Sequence, residues 1–210
     1  MAPSAEDLIL IRAQARLILG LVAIAWLVHL LNWVVGYRLN WLFSLRPRTL
    51  WGFVCIPLVS FLHVNWRHLI SNTKAFLLLG WFIAAQGIHL FYATTIAIAL
   101  LGGLLTWLIA DGRGVGASIL IYGYISFLII YGIAAGEGIA LLLAIVTALE
   151  YQYNILGRMR FGQRMWVVGW LSTGDRRLDR LIGNSGCYGH FAGLLAGIVV
   201  AYGLGLLKLS

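Results

Sequence analysis

The sequence predicts an all-α membrane protein with six transmembrane helices. Three observations carry this. Of the 210 residues, 61% are hydrophobic and only 10% charged, too few polar groups to build a water-facing surface. The apolar residues gather into six runs, each near the ~20 residues that a helix needs to cross ~30 Å of hydrocarbon. The connections hold most of the arginines and the glycine turn signals. The expected organisation is a single domain over 1–210, with a polar lead at 1–16 and a six-helix core at 17–207.

The lead carries Arg12 and Arg16, and span one runs from Leu17 to Gly36. The connection 37–66 is not plainly hydrophilic. Trp41, Phe43, Trp51, Phe53 and Phe61 alternate with Arg38, Arg46 and Arg48, so this segment is expected to lie in the interface, its arginines reaching out to water. Span two (67–86) ends at the turn Gln86-Gly87. Span three (89–110) stops at Asp111-Gly112-Arg113-Gly114. Span four starts at Gly116 and ends near Gly132, before the turn Gly136-Glu137-Gly138. Span five covers 139–156. The connection 157–186 carries six arginines, offset by Asp175 and Asp179, and span six (187–207) ends in Lys208.

The formal net charge of +8 raises nucleic acid as a partner, but the basic residues sit in short links between apolar spans and form no soluble face. Anionic headgroups of the lipid bilayer are the better match. Cys55 and Cys187 have no metal-ligand spacing and make no disulfide framework. Glu6 and Asp7 near the start, and the lack of a small-residue cleavage site, predict no secretory leader. No metal and no organic cofactor is implied.

Alternation of direction puts the N-terminal ends of spans two, four and six on one side of the membrane. There lie His68 and Asn72, Ser118, and His190. His68 and Asn72 share one stripe at i,i+4, as do Ser118 and Tyr122. Gly189, Gly193 and Gly197 recur at every fourth position of span six, with Ala192 and Ala196 beside them, a surface on which span four, offering Gly116 and Gly123, can approach closely. That approach would bring the Ser118 hydroxyl towards the His190 imidazole. A serine is a weak nucleophile without a base, and neutral histidine is the usual one. No carboxylate neighbours His190, which favours a dyad, with Tyr122 orienting the ring. The amide of Asn72, a ring nitrogen of His68 and the backbone N–H of Ser118 are candidate oxyanion donors.

These residues resemble the rhomboid family of intramembrane serine proteases. The likeness is carried by Leu45-Arg46-Pro47-Arg48-Thr49 with Phe61-Leu62-His63, by the run from His63 to Asn72, by Gly116-Ala117-Ser118 with Tyr122-Gly123-Tyr124, and by Gly189 to Gly197. It implies Ser118 as nucleophile, His190 as base, His68 and Asn72 as oxyanion donors, a membrane-embedded first loop, and transmembrane proteins as substrates. Tyr122, Gly116 and Gly193 are expected to support the site. The family motif is Gly-x-Ser-Gly, whereas Ile119 follows the serine here, and Ser126 stands in place of a later family glycine. Ile119 would hold the helices apart, narrow the site, or face lipid. The family's topology places both termini in the cytoplasm, while the arginine count of the first, third and fifth connections favours the reverse.

Other mechanisms lack their residues. The chain has no His-Glu-x-x-His for a zinc protease, and only Asp111, at a span edge, for an aspartyl protease. It shows neither the broken helices nor the mid-bilayer charges of a transporter. The remaining alternative is a rhomboid-like protein that binds transmembrane clients without cutting them. Among the other polar residues, His29 is expected to pack, His63 to bond to backbone, His89 and Lys74 to reach solvent, and Glu150 to pair locally with Arg158.

Overall fold

The computed structural model describes residues 4–156 and 185–205, without the side chains of 150–156 and 185. The connection from 157 to 184, Lys208 and the expected Glu150–Arg158 pair lie outside the described residues. The described chain is helical: α1 (Ala5–Val34), the short α2 (Arg38–Phe43) and α3 (Leu50–Val54), a 3-10 turn at Val59–Phe61, α4 (Trp66–Gln86), α5 (Ile88–Ile109), α6 (Ser118–Ala135), α7 (Gly138–Leu156) and α8 (Ser185–Gly203). Five of these are long and apolar enough to cross a membrane. α7 stands beside these five with a shorter apolar stretch, over Gly138–Leu149.

α1 begins twelve residues before the predicted first span. Ser4 caps it, accepting a hydrogen bond from the Asp7 N–H at 3.1 Å while the Asp7 carboxylate accepts from the Ser4 N–H at 2.9 Å. This reciprocal box satisfies two helix-end donors, so the lead 4–16 is helix rather than coil. Gln14, inside that lead, is buried and donates to the Ala84 carbonyl at the far end of α4. At its other end α1 turns through Gly36 and Tyr37. Asn32 then donates to Asn40 at 2.8 Å, and Asn40 donates to the His63 carbonyl at 3.1 Å. A buried polar thread thus ties α1 and α2 to the start of α4.

α6 is the central helix, with 61% of its residues buried against 17% for the apolar stretch of α1. Its wall contains the fully buried Tyr122, Tyr124 and Phe127. The Tyr124 hydroxyl meets Thr95 of α5 at 2.6 Å, so the ring's polar end is satisfied inside the bundle. Gly136, at φ +67°, closes α6 in the left-handed conformation that glycine adopts without steric cost.

Glycine contacts give the helix directions. A Cβ on Gly193 would strike the Ile119 carbonyl, and one on Gly197 would strike the Gly123 carbonyl and Ser126 Oγ. Position rises together on α8 and α6, so the two run parallel. On α5, Gly102 faces Ile119 while Ile98 faces Gly123, so α5 runs antiparallel to α6. Lipid tails supply no hydrophobic drive for helix association, and backbones this close replace it with dispersion contact and interhelical hydrogen bonds. Ser126 supplies one of the latter, donating to the Leu194 carbonyl of α8 at 2.8 Å. A hydroxyl at residue 126 thus crosses the interface directly.

The first connection corrects one expectation. Arg46 and Arg48 do not simply extend to water. Arg48 Nη1 donates to the carbonyls of Leu108 and Ala110 at 3.0 and 2.8 Å, capping the end of α5, where helix carbonyls lack partners. Arg46 Nη2 and Arg113 Nη1 both donate to the Trp41 carbonyl, and the Arg113 guanidinium lies over the Trp41 ring at 4.9 Å. Leu45 and Gly114 pair their backbones in both directions at 3.0 Å. The loop is therefore pinned to the segment that leads into α6. Arg38 is exposed, as expected.

Candidate active site

Gly114 to Ala117 delivers Ser118 to the first turn of α6. The Gly116 N–H donates to the Val59 carbonyl at 2.9 Å, fixing this segment against the first connection. Gly116 sits at φ +120°, a region that disfavours L side chains. Ile121 makes the first intrahelical bond, to the Ala117 carbonyl at 3.1 Å. The N–H groups of Ser118, Ile119 and Leu120 thus have no acceptor within the helix, and they form a set of donors at its positive end.

α4 brings His68 and Asn72 to the same place. Its first turn is fixed by Asn65, whose side chain accepts from the His68 N–H at 2.8 Å. The His68 ring presents its Cε1–Nε2 edge to Gly116: a Cβ there would be 2.5 Å from Cε1 and 3.0 Å from Nε2, and 3.5 Å from the Asn72 amide nitrogen. Asn72 is 3% exposed, and its Nδ2 finds no hydrogen-bond acceptor among the described residues. A buried amide donor left without an acceptor costs ~1–3 kcal/mol, so it marks either strain or a site for a ligand atom.

α8 brings His190. Its ring lies on the ring of Tyr122, with centroids 4.0 Å apart and planes inclined by 36°. Tyr122 is one turn beyond Ser118 on the same face of α6. The aromatic contact therefore holds His190 over the stripe that carries the hydroxyl. Gly193, next along α8, lets the helix back approach the Ile119 carbonyl directly.

Ile119 does not face lipid. It is 7% exposed, and its side chain enters the notch left by Gly102 of α5. That notch lies seventeen residues away in sequence, with no local signal to announce it.

The other histidines behave as packing and backbone-bonded groups. His29 is buried and meets the Trp66 ring edge-on at 4.5 Å. His63 Nδ1 donates to the Phe61 carbonyl at 3.3 Å, and its ring lies 5.2 Å from that of His68. Burial, then the neighbouring His68 and His29, hold the His63 imidazole well below its ordinary pKa of about 6.5. The unfolded chain therefore binds the extra proton first as pH falls. His63 contributes stability that is complete above pH ~6.5 and is lost progressively below it. The unfolding free energy in detergent is expected to fall between pH 7 and pH 5, by no more than the ~1.4 kcal/mol per pH unit that one proton supplies, and the thermal midpoint to fall with it. His63→Asn should flatten the profile, and an unchanged slope would assign the effect to another group.

Cys55 and Cys187 form no disulfide among the described residues, and burial pushes the Cys55 thiol up, which makes it a poor nucleophile. Among the described residues no group of three His, Cys, Asp or Glu is arranged to hold a metal ion. An apolar cavity of about 310 Å³ lies between α1, α4 and α5 and reaches Asn72 and Ala117 at its inner end. His89 and Lys74 are exposed.

Sequence comparison adds the family. The Rhomboid domain model matches residues 47–206. Uncharacterized protein Rv1337 of Mycobacterium tuberculosis (strain ATCC 25618 / H37Rv) is 34% identical over 194 residues, which cover 88% of this chain and 72% of that protein. Uncharacterized protein ML1171 of Mycobacterium leprae (strain TN) is 30% identical over the same length, covering 88% and 69%. The helices and these bacterial relatives describe an integral, multi-pass protein of a cell membrane. With the match extending from the first connection through α8, the chain belongs to the rhomboid family.

Proposed function

We propose that this protein is an intramembrane serine endopeptidase that cuts a peptide bond in or near the transmembrane segment of another membrane protein. Ser118 Oγ attacks the carbonyl carbon as His190 takes the hydroxyl proton. His190 then gives that proton to the leaving amine as the carbon–nitrogen bond breaks, leaving an acyl ester on Ser118. Water, deprotonated by the same imidazole, releases the acid and regenerates the hydroxyl. Asn72, His68 and the Ser118 backbone N–H hold the oxyanion formed in each half, and Tyr122 orients the base. Nothing in this scheme requires a metal or a cofactor.

The observation that carries the reading is the Asn72 amide. It is a buried donor with no acceptor among the described residues, and it lies beside Gly116, two residues before Ser118. A protein that only gripped client helices would gain from satisfying that group or replacing it. A hydrolase needs it empty in the ground state, because its acceptor exists only in the transition state. The Ile119 seat on Gly102 adds support, since the departure next to the serine fills a gap instead of the site.

The test needs no known substrate. The protein purified in detergent is treated with a fluorophosphonate and digested, and the adduct is located by mass spectrometry. The expected result is a single adduct on the peptide containing Ser118, absent after heat denaturation. Adducts spread over several serines, or none on Ser118 in folded protein, would favour a client-binding member of the family.

A further inference from the structure

The residue after the nucleophile has a defined seat. The Cγ2 of Ile119 lies 2.6 Å from where a Cβ on Gly102 would be, so α5 accepts the side chain only because residue 102 has none. On the opposite side, Cγ1 is 3.4 Å from a Cβ position on Gly189 of α8, at the near edge of ordinary contact. The Ile119 carbonyl meets Gly193 so closely that no side chain fits between them. One residue is thus clamped by both neighbours of α6. Gly189 and Gly193 flank His190, and Ser118 precedes Ile119. The bulk at 119 and the vacancy at 102 complement each other, and both act on the helix pair that carries serine and histidine.

We propose that Ile119 is a positioning residue: seated on Gly102 and braced against Gly189 and Gly193, it sets the spacing of α5, α6 and α8 and, through it, the approach of the His190 ring to the Ser118 hydroxyl. The catalytic consequence rests on the protease reading; the geometric one does not. Two readouts separate them. In the first, Ser118→Cys and His190→Cys are joined by a short thiol cross-linker, in a chain with Cys55→Ala and Cys187→Ala. In the second, fluorophosphonate labelling of the otherwise native chain is resolved into a limiting rate and a half-saturating concentration. Both are run with Gly102→Ala, with Ile119→Ala, and with the two together.

Gly102→Ala is expected to lower the cross-linking rate and the limiting labelling rate by about 10- to 100-fold, the usual consequence of moving reacting groups by about an ångström, with half-saturation unchanged. Ile119→Ala alone should lower both about 10-fold. The double variant should recover to within about 3-fold of the parent, because the new methyl occupies part of the volume the isoleucine vacates. Rates equal in all four folded proteins, or a double variant no better than its worse parent, would overturn the proposal. A cross-linking pattern as expected in a chain whose Ser118 never labels would keep the positioning role and remove the protease reading. If Gly102→Ala does not fold, a folded double variant is itself the rescue. If neither folds, Ile119→Ala, which only removes atoms, must still slow cross-linking.

Discussion

Alanine in place of His190 is expected to slow fluorophosphonate labelling and peptide cleavage by about 10²- to 10⁴-fold, the range supplied by a positioned general base, and alanine in place of Ser118 to abolish both. The Tyr122–His190 contact is the physical basis. An imidazole on a helix facing lipid has many rotamers, and only a few point towards a serine on the neighbouring helix. The aromatic stack at 4.0 Å removes most of that freedom before any substrate arrives. Two further variants separate base chemistry from ring placement. Tyr122→Phe keeps the stacking face and should stay within about 3-fold of the parent, whereas Tyr122→Ala frees the ring and should lose about 10-fold or more. Labelling and cleavage are to be read beside helix content by circular dichroism, since α6 and α8 touch along their whole glycine face. Cleavage that persists in folded Ser118→Ala would place the nucleophile elsewhere and end this assignment.

The residues of the proposed site stand out in the sequence because a bilayer makes polar groups conspicuous. His68, Asn72, Ser118 and His190 stand at the starts of three spans that alternation puts on one side, and the glycine repeat of α8 marks its contact with α6. The turn glycines and most span limits followed from the same contrast between apolar runs and breaks. Less legible was anything that depends on a partner far along the chain. Arg46 and Arg48 look like interfacial arginines, and only the position of α5 turns Arg48 into a cap for its last carbonyls. Ile119 gives no hint of Gly102, since a glycine in an apolar span has many reasons to be there. Asn32 and Asn40 did carry a signal, being amides in or next to apolar runs where an unsatisfied group is costly. The capping box Ser4–Asp7 carried one as well, but the charges at Arg12 and Arg16 masked it.

The proposed oxyanion side of the site depends on one position with no side chain. Gly116→Ala is expected to lower labelling of Ser118 by at least about 10²-fold, as large an effect as deleting an oxyanion donor outright. Two independent causes act together. At φ +120° an alanine is strained whatever the space around it, so the backbone leading into α6 must readjust. Its methyl would also sit 2.5 Å from His68 Cε1 and 3.5 Å from Asn72 Nδ2, so the His68 ring must move away from the segment it now faces. Gly114→Ala is the matched control. A Cβ there would meet only Leu45 Cβ, at an ordinary 3.8 Å, and its labelling should remain within about 3-fold of the parent. Asn72→Ala in the Gly116→Ala background then tests the cause: if the methyl acts by displacing the donors, the second substitution adds little to the first. Effects that multiply in full would mean that Gly116 acts on Ser118 alone, through the backbone, and leaves the Asn72 donor in place.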